Sequence, residues 1–438
     1  MIPDPYLLVI TIPCYLDTQG RRFVEELWHK DLLKHLDHIA NLTLASPTHL
    51  EPPPPGRYLP IDPSPTAGSI TFVDLPPCRS TFYSILTLPK AVSRLWKAVG
   101  AADVVHANVA GWPVPYGWLA APIAKLRGKF LLTNIESAAW RTNWRKPFSP
   151  KRLILGSLFE GMARLCVNLS DLATFTQPGY RDELLLKRRS ARGHVVSASW
   201  IDEADILRPE QAEAVWAAKL IDPDRPLRLA YAGQLNESKG VAVLLSALED
   251  LARRGTRAHV QIYGNGAMLG ASQELANRLH GNVSMELCGT LPYGPEFFAK
   301  LGEQDLLIVP SLSDEQPRIV FDAFSQAVPV IASDTAGLRQ CVTDGQNGWL
   351  VSPGDPSALA VAVVRAAGDR QALRLLGIKA LDTARALTHD AMHLQRAELL
   401  KSALERSRGK PALTVAPSET TISSEPNDST PLLRRDTL

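Results

Sequence analysis

Six short apolar runs recur through the second half of the chain, at residues 227–232 (LRLAYA), 259–263 (HVQIY), 283–288 (VSMELC), 306–309 (LLIV), 328–332 (VPVIA) and 348–351 (GWLV), most of them separated by helix-like segments. Such runs are buried on both sides, and alternation with crossover helices predicts a parallel, doubly wound sheet. The first half repeats the alternation less regularly. Residues 6–12 (YLLVITI) read as a buried first strand, 22–40 as a helix, 41–45 as a returning strand, and 102–106 and 129–133 as later strands. Residues 51–65 are proline-dense and read as a surface loop. The fold class expected is therefore α/β, with two doubly wound Rossmann-like domains whose strands point their carboxyl ends into a shared cleft. The expected boundaries are a first domain at 1–201, a polar and acidic interdomain linker at 202–226, a second domain at 227–385, a helical segment at 386–408 and a disordered tail at 409–438, which has nine Ser and Thr and four Pro.

Composition narrows the classes of function. The 438 residues include 47 Lys and Arg against 45 Asp and Glu, a net charge of +2, which gives no sign of a nucleic-acid partner. Five cysteines without C-x-x-C spacing argue against a disulfide framework or zinc module and fit a reducing, cytoplasmic setting. The N-terminal apolar run lacks a cationic flank and is too short to span a bilayer, so no signal peptide or spanning segment is expected. Charge is uneven: residues 140–194 carry 11 Lys and Arg against 4 Asp and Glu. The sharpest part interleaves Trp140, Arg141, Trp144, Arg145, Lys146 and Phe148, a pattern suited to phosphate or anionic lipid headgroups, although a solvated basic loop reads the same way.

Two segments carry chemistry. After LRLAYA, the loop Gly233-Gln234-Leu235-Asn236-Glu237-Ser238-Lys239-Gly240 leads into apolar residues at helical spacing, from Val241 to Leu251. Glycines, a helix start and Lys239 together make a phosphate site, though alone they describe an ordinary turn. After LLIV, the loop containing Asp314 and Glu315 runs through Pro317 and Arg318 into a helix bearing Asp322. Acids at a strand's carboxyl end suit ligand hydroxyls.

The ordered series YAGQLNESKGVAVLLSAL, IYGNG, LCGTLP, the acidic segment and DTAGLRQCVTDGQNGWLVSPGD resembles the donor-binding domain of the retaining glycosyltransferases of family 4, which have the GT-B fold. The resemblance covers residues 227–385. It implies a sugar transferase acting on a nucleotide-sugar without a metal or other cofactor, with Lys239 neutralising the diphosphate, Asp314 contacting the donor hexose and Asp322 holding the ribose. Gly233, Gln234, Gly264 and Glu315 fall among the donor-binding positions. Gln234 stands where the family usually has Arg, and Arg318 is expected to replace that cation. Both aligned acids are Asp where the family has Glu, a shortening that Glu315 would offset. In the first half, His106 with Asn108 resembles the family's His-x-His strand end. Glu136 is the acid at the next strand end, so His106 and Glu136 are the candidates there. A lipid-linked or saccharide acceptor, in polysaccharide or glycolipid assembly, follows by resemblance, as does attachment to the inner membrane face. A non-catalytic nucleotide-sugar-binding protein and a GT-B epimerase remain alternatives. Gly264-Asn265-Gly266 also mimics a dinucleotide fingerprint, and Asp222-Pro223-Asp224 a metal-binding pair, but a proline-rich linker makes the latter a turn.

Overall fold

The computed structural model describes residues 1–61, 69–111, 114–138, 140–141, 150–313 and 315–409. Two sheets organise the molecule. The first contains β1 (Tyr6–Val9), β2 (Cys14–Leu16), β3 (Arg22–Glu25), β4 (Asn41–His49), β5 (Tyr58–Pro60), β6 (Ser69–Leu75), β7 (Val104–Asn108), β8 (Phe130–Ile135), β9 (Leu172–Phe175) and β10 (Gly193–Val195). Its parallel body runs β6-β4-β1-β7-β8-β9-β10, and β2, β3 and β5 extend it beside β4. The second contains β11 (Leu227–Ala232), β12 (Ala258–Tyr263), β13 (Val283–Gly289), β14 (Leu306–Val309), β15 (Val330–Ser333) and β16 (Gly348–Val351), all parallel, in the order β13-β12-β11-β14-β15-β16.

Apolar side chains explain both sheets. Along β1, Leu7 and Val9 enter one buried cluster while Tyr6 and Leu8 enter another, so the strand is covered on both faces and shows no polar alternation. In the second sheet the chain leaves β11 toward β12 on one side and β14 toward β15 on the other. Right-handed crossovers then place helix Val241–Arg253 and helix Ile319–Ser325 on opposite faces.

The structure departs from expectation in several places. Residues 202–226, expected as a polar interdomain linker, hold helix Pro209–Leu220, whose Trp216 is buried in the second domain's core and donates its indole N–H to the Ala327 carbonyl at 2.9 Å. The proline-rich segment 51–65 contributes β5, which pairs with β3, so residues 22–25 are strand and the helix begins at Glu26. β2 and β10, of three residues each, are too short to read from pattern, and β6 and β9 were not anticipated. Helix His389–Ser407 follows the second domain in sequence, yet its Leu400, Ala403 and Leu404 belong to the core beneath β1 and β4. The expected tail after 409 lies outside the described residues. Among the described residues no helix is long and apolar enough to cross a membrane.

Candidate functional site

The order of the second sheet reverses between β11 and β14. A cleft of about 340 Å³ opens at their carboxyl ends, where Tyr231, Gly233 and Lys239 meet Pro310, Arg318 and Asp322. The two loops interlock: the Leu312 amide donates to the Ser238 carbonyl at 2.9 Å, and Asn236 caps the turn before Gly240 by accepting from the Lys239 amide at 2.9 Å. Only glycine fits at 240, where φ is +73° and an added Cβ would stand 1.7 Å from the Pro310 carbonyl oxygen. At Gly264, φ +154°, a Cβ would stand 1.9 Å from the Gly233 oxygen, so this glycine shapes the cleft's first loop from behind.

One charge pair in the cleft is half-buried. Lys239 Nζ lies 2.7 Å from Glu315 Oε2. Asp322 is 5% exposed and accepts the Tyr293 hydroxyl at 2.9 Å. Burial lifts its carboxyl to about 7, against the lowering effect of the Tyr293 hydrogen bond and the Arg318 charge. The Arg318 guanidinium sits 3.8 Å from the Trp200 ring centroid, close enough for cation–π attraction. From the first domain, helix Glu26–Leu36 sends Leu27 into the cleft and Lys30 to its rim, where Nζ donates to the Trp200 carbonyl at 2.7 Å and pairs with Asp202 at 2.8 Å.

Lys239, Glu315, Arg318, Asp322 and Gly233 are therefore brought together. Asp314 lies outside the described residues. Gln234 is exposed and bonds within its own loop, its Oε1 accepting from Asn236 at 3.1 Å. The sequence did not single out Trp200, Tyr293, Lys30 or Leu27. Tyr293 follows the LCGTLP segment directly, which is a signal of sorts; the other three come from distant segments and have none.

The first-domain candidates lie elsewhere. His106 is in the middle of β7, 8% exposed, with Nδ1 2.8 Å from the Tyr6 hydroxyl; burial keeps its imidazole neutral, far below the usual range. It faces a small cavity with His35 and His393, away from Lys239. Glu136 accepts from Asn134 at 2.9 Å and pairs with Arg396 at 3.3 Å. Arg141 does not present a free cation: it pairs with Glu160 at 2.6 Å and Glu183 at 2.5 Å, and Glu160, also accepting from the Trp140 indole at 2.8 Å, is held down to about 2 against its own desolvation. Trp140 packs inward on the first domain's core. Trp144, Arg145, Lys146 and Phe148 lie outside the described residues.

Two doubly wound domains with a cleft at the switch point of the second constitute a GT-B fold. Residues 226–369, which hold the whole second sheet, match the family model described as Glycosyl transferases group 1. Over 182 residues the chain is 31% identical to a D-inositol 3-phosphate glycosyltransferase from Nocardia farcinica, covering 40% of each chain; it thus spans about two fifths of that relative's length. Sucrose-phosphate synthase from Thermosynechococcus elongatus superposes with a TM-score of 0.65 at 19% identity, over 92% of this chain and 100% of that one. The Anabaena protein Alr3699/HepE in complex with UDP-glucose superposes with a TM-score of 0.57 at 15% identity, over 91% and 99%.

Proposed function

We propose that this chain is a retaining glycosyltransferase that moves a sugar from a nucleotide-sugar donor to an acceptor hydroxyl without a metal. The observation carrying this reading is the meeting of Lys239, Arg318 and the buried Asp322 in one cleft at the switch point of the second sheet. A leaving diphosphate is the electrostatic problem of the reaction, and two cations, each on a loop that opens a helix, answer it. Asp322, fixed by Tyr293, takes the ribose hydroxyls, and Glu315 reaches toward the hexose from the position next to Asp314. Attack from the face that the diphosphate leaves, with its oxygen taking the acceptor proton, gives retention without an enzymic nucleophile. The glycosyltransferase family of the matched segment and the UDP-glucose bound by Alr3699/HepE support the donor class.

The acceptor is a lipid-linked or saccharide hydroxyl in polysaccharide or glycolipid assembly, and the protein works at an anionic membrane face. Support for this comes from the outer helices of the first domain: Phe82, Ile85 and Leu86 on Thr81–Leu86, Trp96 on Leu88–Ala101 and Ile154 on Pro150–Leu169 are exposed, among the exposed cations Lys90, Lys97 and Arg127. Aromatic and aliphatic groups flanked by cations suit a headgroup layer.

The deciding measurement is release of nucleoside diphosphate from a panel of nucleotide-sugars, with and without acceptors, followed by NMR of the product's anomeric configuration. Acceptor-dependent release with retention is expected. Binding without release would leave a non-catalytic donor-binding protein, and conversion of the donor to its epimer without net release would make it an epimerase.

A further inference from the structure

We propose that Asp31, His389 and His393 form a binding site for a divalent cation of the zinc type, which clips the first helix of the N-terminal domain to the C-terminal helix. The site is separate from the donor cleft and takes no part in the transfer proposed above.

The geometry comes from two helices far apart in sequence. His389 and His393 stand one turn apart on helix His389–Ser407, so their rings share a face. Asp31, on helix Glu26–Leu36, places Oδ1 3.0 Å from the Nε2 of each ring. The three donor atoms lie within 4.8 Å of one another. Zinc binds imidazole nitrogen and carboxylate oxygen at about 2.0–2.2 Å, and a tetrahedral site separates neighbouring donors by roughly 3.3–3.6 Å, so the two carboxylate–imidazole spacings are close to those a bound ion needs and the two imidazoles draw together on binding.

The surroundings make a cation the natural complement. All three side chains are buried, at 6%, 0% and 3% exposure. A carboxylate so deep needs a positive partner or a metal, yet among the described residues its ion-pair contacts are imidazoles only: His389, His393 and His35. His35 supports the cluster from the side. Its Nδ1 lies 2.9 Å from the Asp31 carbonyl oxygen, and its ring meets His393 edge-on with centroids 4.8 Å apart. A cavity of about 40 Å³, lined in part by His35 and His393, lies beside the cluster on the His393 side and is large enough for a water. Two imidazoles and one carboxylate are a donor set that zinc accepts with a fourth position left to water.

The test uses the full-length protein, stripped with a chelator, exposed to Zn²⁺ and desalted before metal analysis. The parent should retain about one equivalent, and the double variant His389→Gln/His393→Gln far less. Saturating Zn²⁺ should raise the parent's thermal midpoint by about 5 °C, reversibly with chelator, and leave the variant unmoved. Equal retention by parent and variant, or no retention by either, overturns the proposal. Should the double variant fail to fold, Co²⁺ substitution of the parent decides. Visible absorption of a low-coordinate Co²⁺ ion together with the midpoint shift is expected, and absence of both overturns it. Nucleotide-sugar turnover plays no part in these readouts, so the outcome is independent of the proposed activity.

Discussion

Lys239 and Glu315 close an ion pair of 2.7 Å between the two loops that meet over the cleft, one following β11 and the other following β14. The pair holds the lysine ammonium at the cleft while leaving it in competition with any anion that enters. Lys239→Ala should lower transfer and diphosphate binding by about 10- to 150-fold, the range for a lost charged hydrogen bond of roughly 1.5–3 kcal/mol. Glu315→Gln should separate the two roles: nucleoside diphosphate binds as well or better by calorimetry, while transfer falls because the contact toward the hexose is weakened. Unchanged turnover in both variants would remove this pair from the site.

Asp322 predicts a pH dependence. Its carboxyl titrates at about 7 in the folded chain and near 4 when unfolded. Between these values the folded state holds a proton that the unfolded state has lost. The residue's contribution to stability therefore declines as pH rises from about 4 to about 7, then levels off. Asp322→Asn should flatten this slope, and the stability difference between variant and parent should grow across the window by roughly 2–4 kcal/mol in denaturant titrations. Donor affinity should rise with pH through the same midpoint, since the ionised form accepts ribose hydroxyls better. Tyr293→Phe removes a hydrogen bond that favours the charged form and should move the midpoint upward. Superposable profiles for Tyr293→Phe and the parent would show that another group titrates.

Arg318 rests on Trp200 at 3.8 Å, and the proposed diphosphate would draw it away. Donor binding should then change tryptophan emission in the parent and not in Trp200→Phe. Arg318→Lys keeps the charge but loses the planar fork that stacks and grips phosphate in bidentate fashion, so it should cost at least about tenfold in turnover. Full activity in Arg318→Ala would sink the assignment.

The exposed apolar side chains of the first domain predict reversible membrane attachment. The protein should co-sediment with anionic liposomes at low salt, less so at high salt, and weakly with neutral ones. Replacing Phe82 and Ile154 with Ser should abolish pelleting without altering the fold by circular dichroism. Equal absence of the parent from both pellets at low salt would leave these side chains without that role.

Legibility in the sequence followed burial. The six strands of the second sheet were readable because each is a compact apolar run closed by a polar loop; Lys239 and Arg318 sit in those loops, and Asp322 on the short helix that follows one of them. The first sheet was less so: β10 is three residues long, too brief for periodicity, and β5 lies in a segment whose prolines read as loop. Trp216 sits in a polar stretch, and its role in the second core depends on a partner, Ala327, that is 111 residues away. His106 shows the opposite failure. A histidine after an apolar strand is more often structural than catalytic, and only the family resemblance made it a site candidate; here Tyr6 and His35 enclose it. Glu160 and Glu183 were among the four acids counted in residues 140–194, but a count of charges does not show that both fold back onto Arg141.

The helix His389–Ser407 has a consequence for the order in which the molecule is made. Its Leu400, Ala403 and Leu404 complete the core beneath β1 and β4, so the first domain to leave the ribosome is the last to be finished. At usual synthesis speeds of 5–20 residues per second, some 200 residues separate the two events, about 10 to 40 s in which the nascent domain shows an open apolar face. A chaperone has its occasion in that interval, and a chain stopped short of residue 400 would carry the exposed face permanently.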